Sequence, residues 1–284
     1  MEILKHLRDP VYMLRPWQIA KRMRFLLYPP KGDVEAPLPW GDILKVRTDE
    51  KNGQTILERG LDQLIVVEAC LRLMEPGSVG VDVGANYGQM TVALAHAAKS
   101  TGTVYAFEPH PGLFKYLRKN TEEKSAVRPV RKALSEHAGK SYLHVPKQWQ
   151  TLAGSSSLNS GFVEGTEKVE VVVSTLDKEI GNSEEVSVMK VDVEGHEREV
   201  MKGGIKMFSE RRVKHVVFED HDYESSKVVD FLKEMGYEIY SIESRLSGPV
   251  LTSPDVDDWN FVATLSEREC QNHFDSGGWR ALGK

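Results

Sequence analysis

Val81-Asp82-Val83-Gly84-Ala85-Asn86-Tyr87-Gly88 decides the fold. It joins the end of an apolar, β-branched run, Val79 to Gly84, to an amphipathic stretch from Gly88 to Lys99. Gly84 and Gly88 allow a tight turn and let a ligand approach the main chain at a helix N-terminus. A glycine turn of this kind also serves simply to pack strand against helix, so by itself it does not establish a ligand site. The next strand, Thr103 to Glu108, ends on an acid 20 positions beyond Gly88. A carboxylate there accepts hydrogen bonds from ribose hydroxyls, which points to an adenosine-containing ligand.

Outward from this unit, short β-branched runs alternate with helical stretches, the pattern of a sheet wound with helices on both faces. After Thr103 to Glu108 come a helix, Gly112 to Asn120, and strands at Val127 to Leu134, Tyr142 to Val145, Val169 to Ser174, Val186 to Val193 and Val213 to Glu219. A helix over Ser225 to Met235 follows, and Tyr237 to Ile242 and Asn260 to Leu265 close the sheet as a terminal hairpin whose last strand enters antiparallel. Gly154 to Gly165 reads as a loop and candidate mobile lid. Before Val79, residues 11–28 and 61–74 read as helices joined by an irregular Pro/Gly-rich segment, Pro29 to Gly41. The expected organisation is an N-terminal helical extension, residues 1–75, on an α/β domain of residues 76–284.

Asn86 discriminates among adenosine ligands. The dinucleotide fingerprint requires a second glycine at that place, where a pyrophosphate meets the backbone. A side chain there crowds a pyrophosphate but can contact the amino-acid portion of S-adenosylmethionine, and Asp82 at the strand end can balance an ammonium or sulfonium charge. A dehydrogenase is disfavoured accordingly.

A second constellation is Val188-Met189-Lys190-Val191-Asp192-Val193-Glu194-Gly195-His196-Glu197. Period-two alternation puts Lys190, Asp192 and Glu194 on one face and Met189, Val191 and Val193 on the other. Three charges on one face of a central strand are expensive unless paired or facing a cleft. Ligands in such sheets bind beyond the carboxyl ends of strands, where Asp192 and Glu194 stand. The structural alternative is an ion pair of Lys190 with Glu197. The neighbouring strand ends Phe218-Glu219-Asp220-His221, which brings Glu219 and His221 to the same cleft. His221, with His196 behind it, is a candidate base. Asp192 with Glu219 or Asp220 is an alternative Mg²⁺ set that would orient a substrate diol.

The 284 residues carry 37 Lys and Arg against 42 Asp and Glu, a net charge of −5 that offers no footprint for nucleic acid. Two cysteines, Cys70 and Cys270, lie far apart and make no metal or redox motif. No apolar run is long enough to span a bilayer, and Met-Glu-Ile-Leu-Lys-His lacks the core of a signal peptide, so a cytoplasmic location is expected. Pro16 to Tyr28 combines Trp17, Ile19, Met23 and Phe25-Leu26-Leu27 with Lys21, Arg22 and Arg24. Such a helix either packs its apolar side on the catalytic domain or a second subunit, or lies on an anionic bilayer surface. Burial of Trp17 and Phe25-Leu26-Leu27 belongs to the first reading and exposure to the second.

The motifs Asp82-Val-Gly-Ala-Asn-Tyr-Gly88, Ala106-Phe-Glu-Pro109 and Lys190-Val-Asp-Val-Glu-Gly-His-Glu197 resemble those of FkbM-type S-adenosylmethionine-dependent methyltransferases, over about Gly77 to Leu265. The resemblance implies a class I Rossmann-like sheet. It implies that Gly84, Asn86, Gly88 and Glu108 contact the cofactor, with Asp82 and Ala85 in the same turn, and that Asp192 stands near the transferred methyl. It further implies O-methylation of a sugar, polyketide or related natural product. The expected activity is methyl transfer to a hydroxyl of a saccharide or glycosylated metabolite, with Asp192, Glu219 and His221 as catalytic candidates. Two rivals are a methyltransferase-like binder without turnover and a methyltransferase of another acceptor. A nucleic-acid or protein substrate is disfavoured by the absent basic surface and the absent Asn-Pro-Pro-Tyr type motif.

Overall fold

The computed structural model describes residues 9–146, 157–158, 166–182, 184–220, 223–255 and 258–283. At the N-terminal end Asp9 caps α1 (Pro10–Leu14), accepting a 2.9 Å hydrogen bond from the amide of Val11. The single helix expected over residues 11–28 is instead two. Arg15, preceding Pro16, leaves the helical region at φ −134°, as residues before proline do, and α2 (Trp17–Leu27) starts afterwards. The segment expected to be irregular holds β1 (Asp33–Pro37), which pairs antiparallel with β2 (Ile43–Arg47). Ala36, Leu38, Leu44 and Val46 bury against Tyr87 and Leu113, and this alternating burial outweighs the prolines. Helix α3 (Lys51–Arg59) starts at Glu50, whose carboxylate accepts from the Gly53 amide at 2.9 Å, and stops at left-handed Gly60. Then comes α4 (Leu64–Leu73), buried along most of its length.

The α/β unit continues with β3 (Val79–Val83), α5 (Gln89–Ala98), β4 (Thr103–Phe107), α6 (Pro111–Thr121) and β5 (Val127–Val130). The expected strand Val127 to Leu134 breaks after Val130. Its remainder, β6 (Ala133–Leu134), belongs to a separate sheet with β7 (Gly139–Pro146) and β8 (Thr166–Ser174), in the order β6-β8-β7. After α7 (Leu176–Glu179) the chain returns as β9 (Val186–Val191), followed by α8 (Glu197–Lys202), α9 (Ile205–Ser209), β10 (Val213–Glu219) and α10 (Lys227–Glu234). The last strands are β11 (Glu238–Arg245), β12 (Gly248–Thr252) and β13 (Asn260–Thr264), and α11 (Glu267–Phe274) follows. The turn-rich stretch 246–258 thus contributes an extra edge strand, β12.

The large sheet has the order β12-β11-β13-β10-β9-β3-β4-β5. From β10 to β5 the pairs are parallel, and β13 lies antiparallel to both β10 and β11. Strand order reverses between β3 and β9, which opens a crevice at their carboxyl ends. The sheet is covered on both faces. Val188, Val217 and Val262 pack with α4 and α5, while Met189, Val191, Val216, Phe218 and Phe261 pack with α8, α9 and α10.

The C-terminal segment is pinned to α4 by a fully buried Arg72–Glu68 pair at 2.6 Å. The guanidinium also donates to the carbonyls of His273, Ser276 and Gly278, and Glu68 accepts from the amides of Arg280 and Ala281. Removing either partner strands a buried charge, a loss of about 3–5 kcal/mol. Among the described residues no helix is long and apolar enough to cross a membrane.

Candidate active site

A cavity of about 330 Å³ opens at the switch in strand order. Gly84, Ala85, Asn86, Glu108, Asp192 and Glu219, all expected at the site, line it. Glu194 lines it too. The cavity's acids are Asp62, Glu108, Asp192, Glu194 and Glu219, and its cations are Lys51 and Lys190. A surplus of carboxylates suits a cationic ligand and repels a pyrophosphate.

The turn after β3 is shaped by close approach. Gly84 has φ +78°, and a Cβ there would fall 1.9 Å from the carbonyl oxygen of Asp192, so no side chain fits between the ends of β3 and β9. Gly88, at φ +93°, begins α5, and a Cβ on it would meet Leu117 at 2.9 Å. Gly88 therefore shapes the turn without lining the cavity. Asn86 is left-handed at φ +52°, which asparagine tolerates, and its Oδ1 accepts from the Tyr87 amide at 2.8 Å. Five non-glycine residues among those described have positive φ, and three of them, Gln63, Asn86 and Glu194, line this cavity. Backbone held in such sparsely populated conformations clusters at active sites and ligand clamps.

Glu108 is buried. Its two oxygens accept from the amides of Asn86 at 2.9 Å and His110 at 2.7 Å. Burial pushes its pKa up to about 7 against those two hydrogen bonds. Each carboxylate oxygen has a second acceptor position, which suits a ribose diol.

Lys190 and Asp82 are register partners on β9 and β3. The ammonium lies 3.5 Å from both the Asp82 and the Asp192 carboxylates and donates to the Gly84 carbonyl at 2.9 Å. Burial opposes its charge, but Asp192 and Asp82 outweigh burial and hold its pKa above the ordinary lysine value. The ion pair expected with Glu197 is not formed. That carboxylate instead accepts from the amides of Val193 and Gly195 and fixes the loop after β9. Asp82 is fully buried under α5, where it also accepts from the Thr91 hydroxyl, so it supports the turn from behind. Asp192 is the partner of Lys190 that reaches the cavity.

Glu219, at the end of β10, accepts a 3.0 Å hydrogen bond from the Gln63 side chain. Burial and then the Asp192 charge raise its pKa to about 7, and burial with Asp192 does the same for Glu194. Asp220 points elsewhere: its carboxylate accepts from the Ser226 hydroxyl at the start of α10, and it does not line the cavity. Asp220 is thus not part of a Mg²⁺ set, whereas Asp192 and Glu219 both line the cavity. His196 is also turned away, with Nε2 3.0 Å from the Ser135 hydroxyl. His221 lies outside the described residues, as does most of the expected lid. Within that lid Ser157 is described, and its hydroxyl donates to the Glu194 carbonyl at 2.8 Å.

Lys51, Asn52, Thr55, Asp62 and Gln63, from α3 and the turn before α4, complete the wall and are absent from the residues expected there. A signal for them exists in Glu50 as a cap and Gly60 as a stop, which bracket a helix over Lys51–Arg59.

The strand order with β13 inserted antiparallel, and an acidic cavity at the switch point fitted to an adenosine with a positive charge, define a class I S-adenosylmethionine-dependent methyltransferase. The chain belongs to the methyltransferase FkbM domain family, whose model matches residues 82–239. It is 32% identical over 139 residues to the hexuronic acid methyltransferase AglP of Haloferax volcanii, covering 49% of this chain and 54% of that protein. It thus spans about half the length of that relative. To the 31-O-demethyl-FK506 methyltransferase FkbM of Streptomyces tacrolimicus it is 29% identical over 206 residues, 61% of this chain and 77% of that one. Among solved structures, an S-adenosylmethionine-dependent O-methyltransferase from Thermotoga maritima aligns with a TM-score of 0.41 at 12% identity, over 83% of this chain and 93% of that one.

Proposed function

We propose that this protein transfers the methyl group of S-adenosylmethionine to a hydroxyl oxygen of a saccharide or glycosylated natural product. The observation that carries the cofactor reading is the cavity at the β3/β9 switch, where five carboxylates face two ammonium groups. The acceptor class is supported by the two relatives, one named for a hexuronic acid and the other for an O-demethylated natural product.

S-adenosylmethionine supplies an electrophilic methyl group on a positive sulfonium. Glu108 holds the ribose hydroxyls, and the turn Gly84-Ala85-Asn86 lies against the amino-acid end. Asp192, 3.5 Å from the Lys190 ammonium, offsets positive charge and orients the acceptor hydroxyl. Glu219 takes up the hydroxyl proton, and its pKa of about 7 suits a base near neutral pH. His221 is a second candidate for that proton. This mechanism uses no Mg²⁺. The test is turnover: S-adenosylhomocysteine formed with saccharide acceptors supports it, and binding without turnover across such acceptors favours the non-catalytic alternative.

We further propose that α2 holds the enzyme at the cytoplasmic surface of an anionic membrane. Gln18 and Arg22 face α3, through the Glu58 carbonyl and carboxylate. Ile19, Met23 and Leu26, on one face at helical spacing, point outward with exposures of 38%, 58% and 63%. Trp17 and Leu27 are also exposed, so none of the described residues of the catalytic domain covers this side. Lys21 and Arg24 accompany it and α2 carries no acid, which complements anionic lipid.

A further inference from the structure

Away from the cavity, His215 lies near the start of β10 and is the register partner of Thr264 on β13. The Thr264 hydroxyl oxygen lies 2.9 Å from His215 Nδ1, so that hydrogen bond occupies one ring nitrogen and leaves Nε2 as the other. Nε2 is buried, in a residue only 1% exposed, and has no hydrogen-bond partner among the described residues. Glu269 and His273 stand one turn apart on α11, and a ligand atom from each lies within 4.8 Å of the others and of His215.

We propose that His215, Glu269 and His273 form a binding site for a borderline divalent cation of the Zn²⁺ type. Two imidazole nitrogens and one carboxylate are a Zn²⁺ donor set, whereas Mg²⁺ prefers an all-oxygen shell. Ligands about 2.1 Å from a tetrahedral ion stand about 3.4 Å apart, so the cluster, whose ligand atoms lie within 4.8 Å of one another, closes by at most about 1.4 Å. Glu269 and His273 are half-buried and can rotate to do so. Thr264 already supplies the outer hydrogen bond that orients a metal-binding histidine. Lys214, 3.1 Å from Glu269, is the cation that a bound metal displaces. The fourth position is left to water. A metal here ties α11 to the central strand β10, and with it the C-terminal segment that packs on α4.

The experiment is calorimetric titration of the chelator-treated full chain with Zn²⁺, alongside thermal unfolding with Zn²⁺ or Mg²⁺. One Zn²⁺ per chain is expected, with a rise in Tm that Mg²⁺ does not reproduce. His273→Ala, on a half-buried position, weakens Zn²⁺ by at least about tenfold and removes the rise. It leaves S-adenosylmethionine affinity unchanged, which separates this site from the cavity and reports an intact fold. Failure of Zn²⁺ to bind or raise Tm, or equal Zn²⁺ affinity in His273→Ala, overturns the proposal.

Discussion

Glu108 accepts a 2.9 Å hydrogen bond from the backbone amide of Asn86, tying the end of β4 to the turn that follows β3. The contact holds Asn86 in its left-handed conformation while one side of the carboxylate faces the cavity.

On the proposed assignment, replacing Glu108 by Ala removes a charge-assisted hydrogen bond to the ribose, worth about 1.5–3 kcal/mol. The expected result is a loss of about tenfold to a hundredfold in affinity for both S-adenosylmethionine and S-adenosylhomocysteine, measured by calorimetry on a variant whose circular dichroism is unchanged. Unaltered affinity removes the ribose assignment.

In its proposed role as base, Glu219 makes activity depend on pH. Its folded pKa of about 7 lies above the ordinary glutamate value, so the folded chain holds a proton that the unfolded chain has released. Its contribution to stability is complete below about pH 4.5 and is lost as pH rises through about 7. Glu219→Gln abolishes this term, so the variant gains stability relative to wild type between about pH 5 and pH 8. Turnover runs the other way, because the base acts when ionised. Wild-type kcat/KM rises through about pH 7, and Glu219→Gln lowers it roughly 10²-fold and flattens the rise. A wild-type profile flat between about pH 6 and pH 8, or the same rise in the variant, contradicts the role of Glu219 as base.

Most of the parallel framework is legible in the sequence because β-branched runs and the turn at Gly84 are local signals. Partners across strands are not. Sequence proximity offers Lys190 a partner in Glu197, within its own segment, whereas its register partner is Asp82 on β3. The alternation shows that three charges share a face of β9 but not which strand lies beside it. The split of 127–134 between two sheets and the strand within Pro29 to Gly41 depend on tertiary burial. Gly84 is legible as a place of close approach, but the group approaching it is the Asp192 carbonyl of the neighbouring strand.

The outward face of α2 predicts co-flotation with anionic vesicles at low salt, weaker binding at moderate salt, and little with neutral vesicles. Ile19→Ser with Leu26→Ser reduces flotation without altering cofactor affinity. Dimerisation in solution that both substitutions abolish, with no vesicle binding, assigns the face to a second copy instead.

Methyl transfer to a saccharide hydroxyl is tested most directly by mass spectrometry of glycans and glycosylated metabolites from cells carrying either the wild-type chain or Asp192→Asn, fed isotopically labelled methionine. Asp192 lies beside Lys190 and lines the cavity, and in the proposed role it acts on the acceptor, so the variant is expected to retain cofactor binding within about tenfold and to lose turnover by about 10²-fold or more. The predicted result is a saccharide-containing species with a labelled O-methyl group in wild-type cells and its counterpart one methylene lighter in Asp192→Asn cells. Identical profiles in the two strains, with the labelled species present in both or absent from both, contradict it.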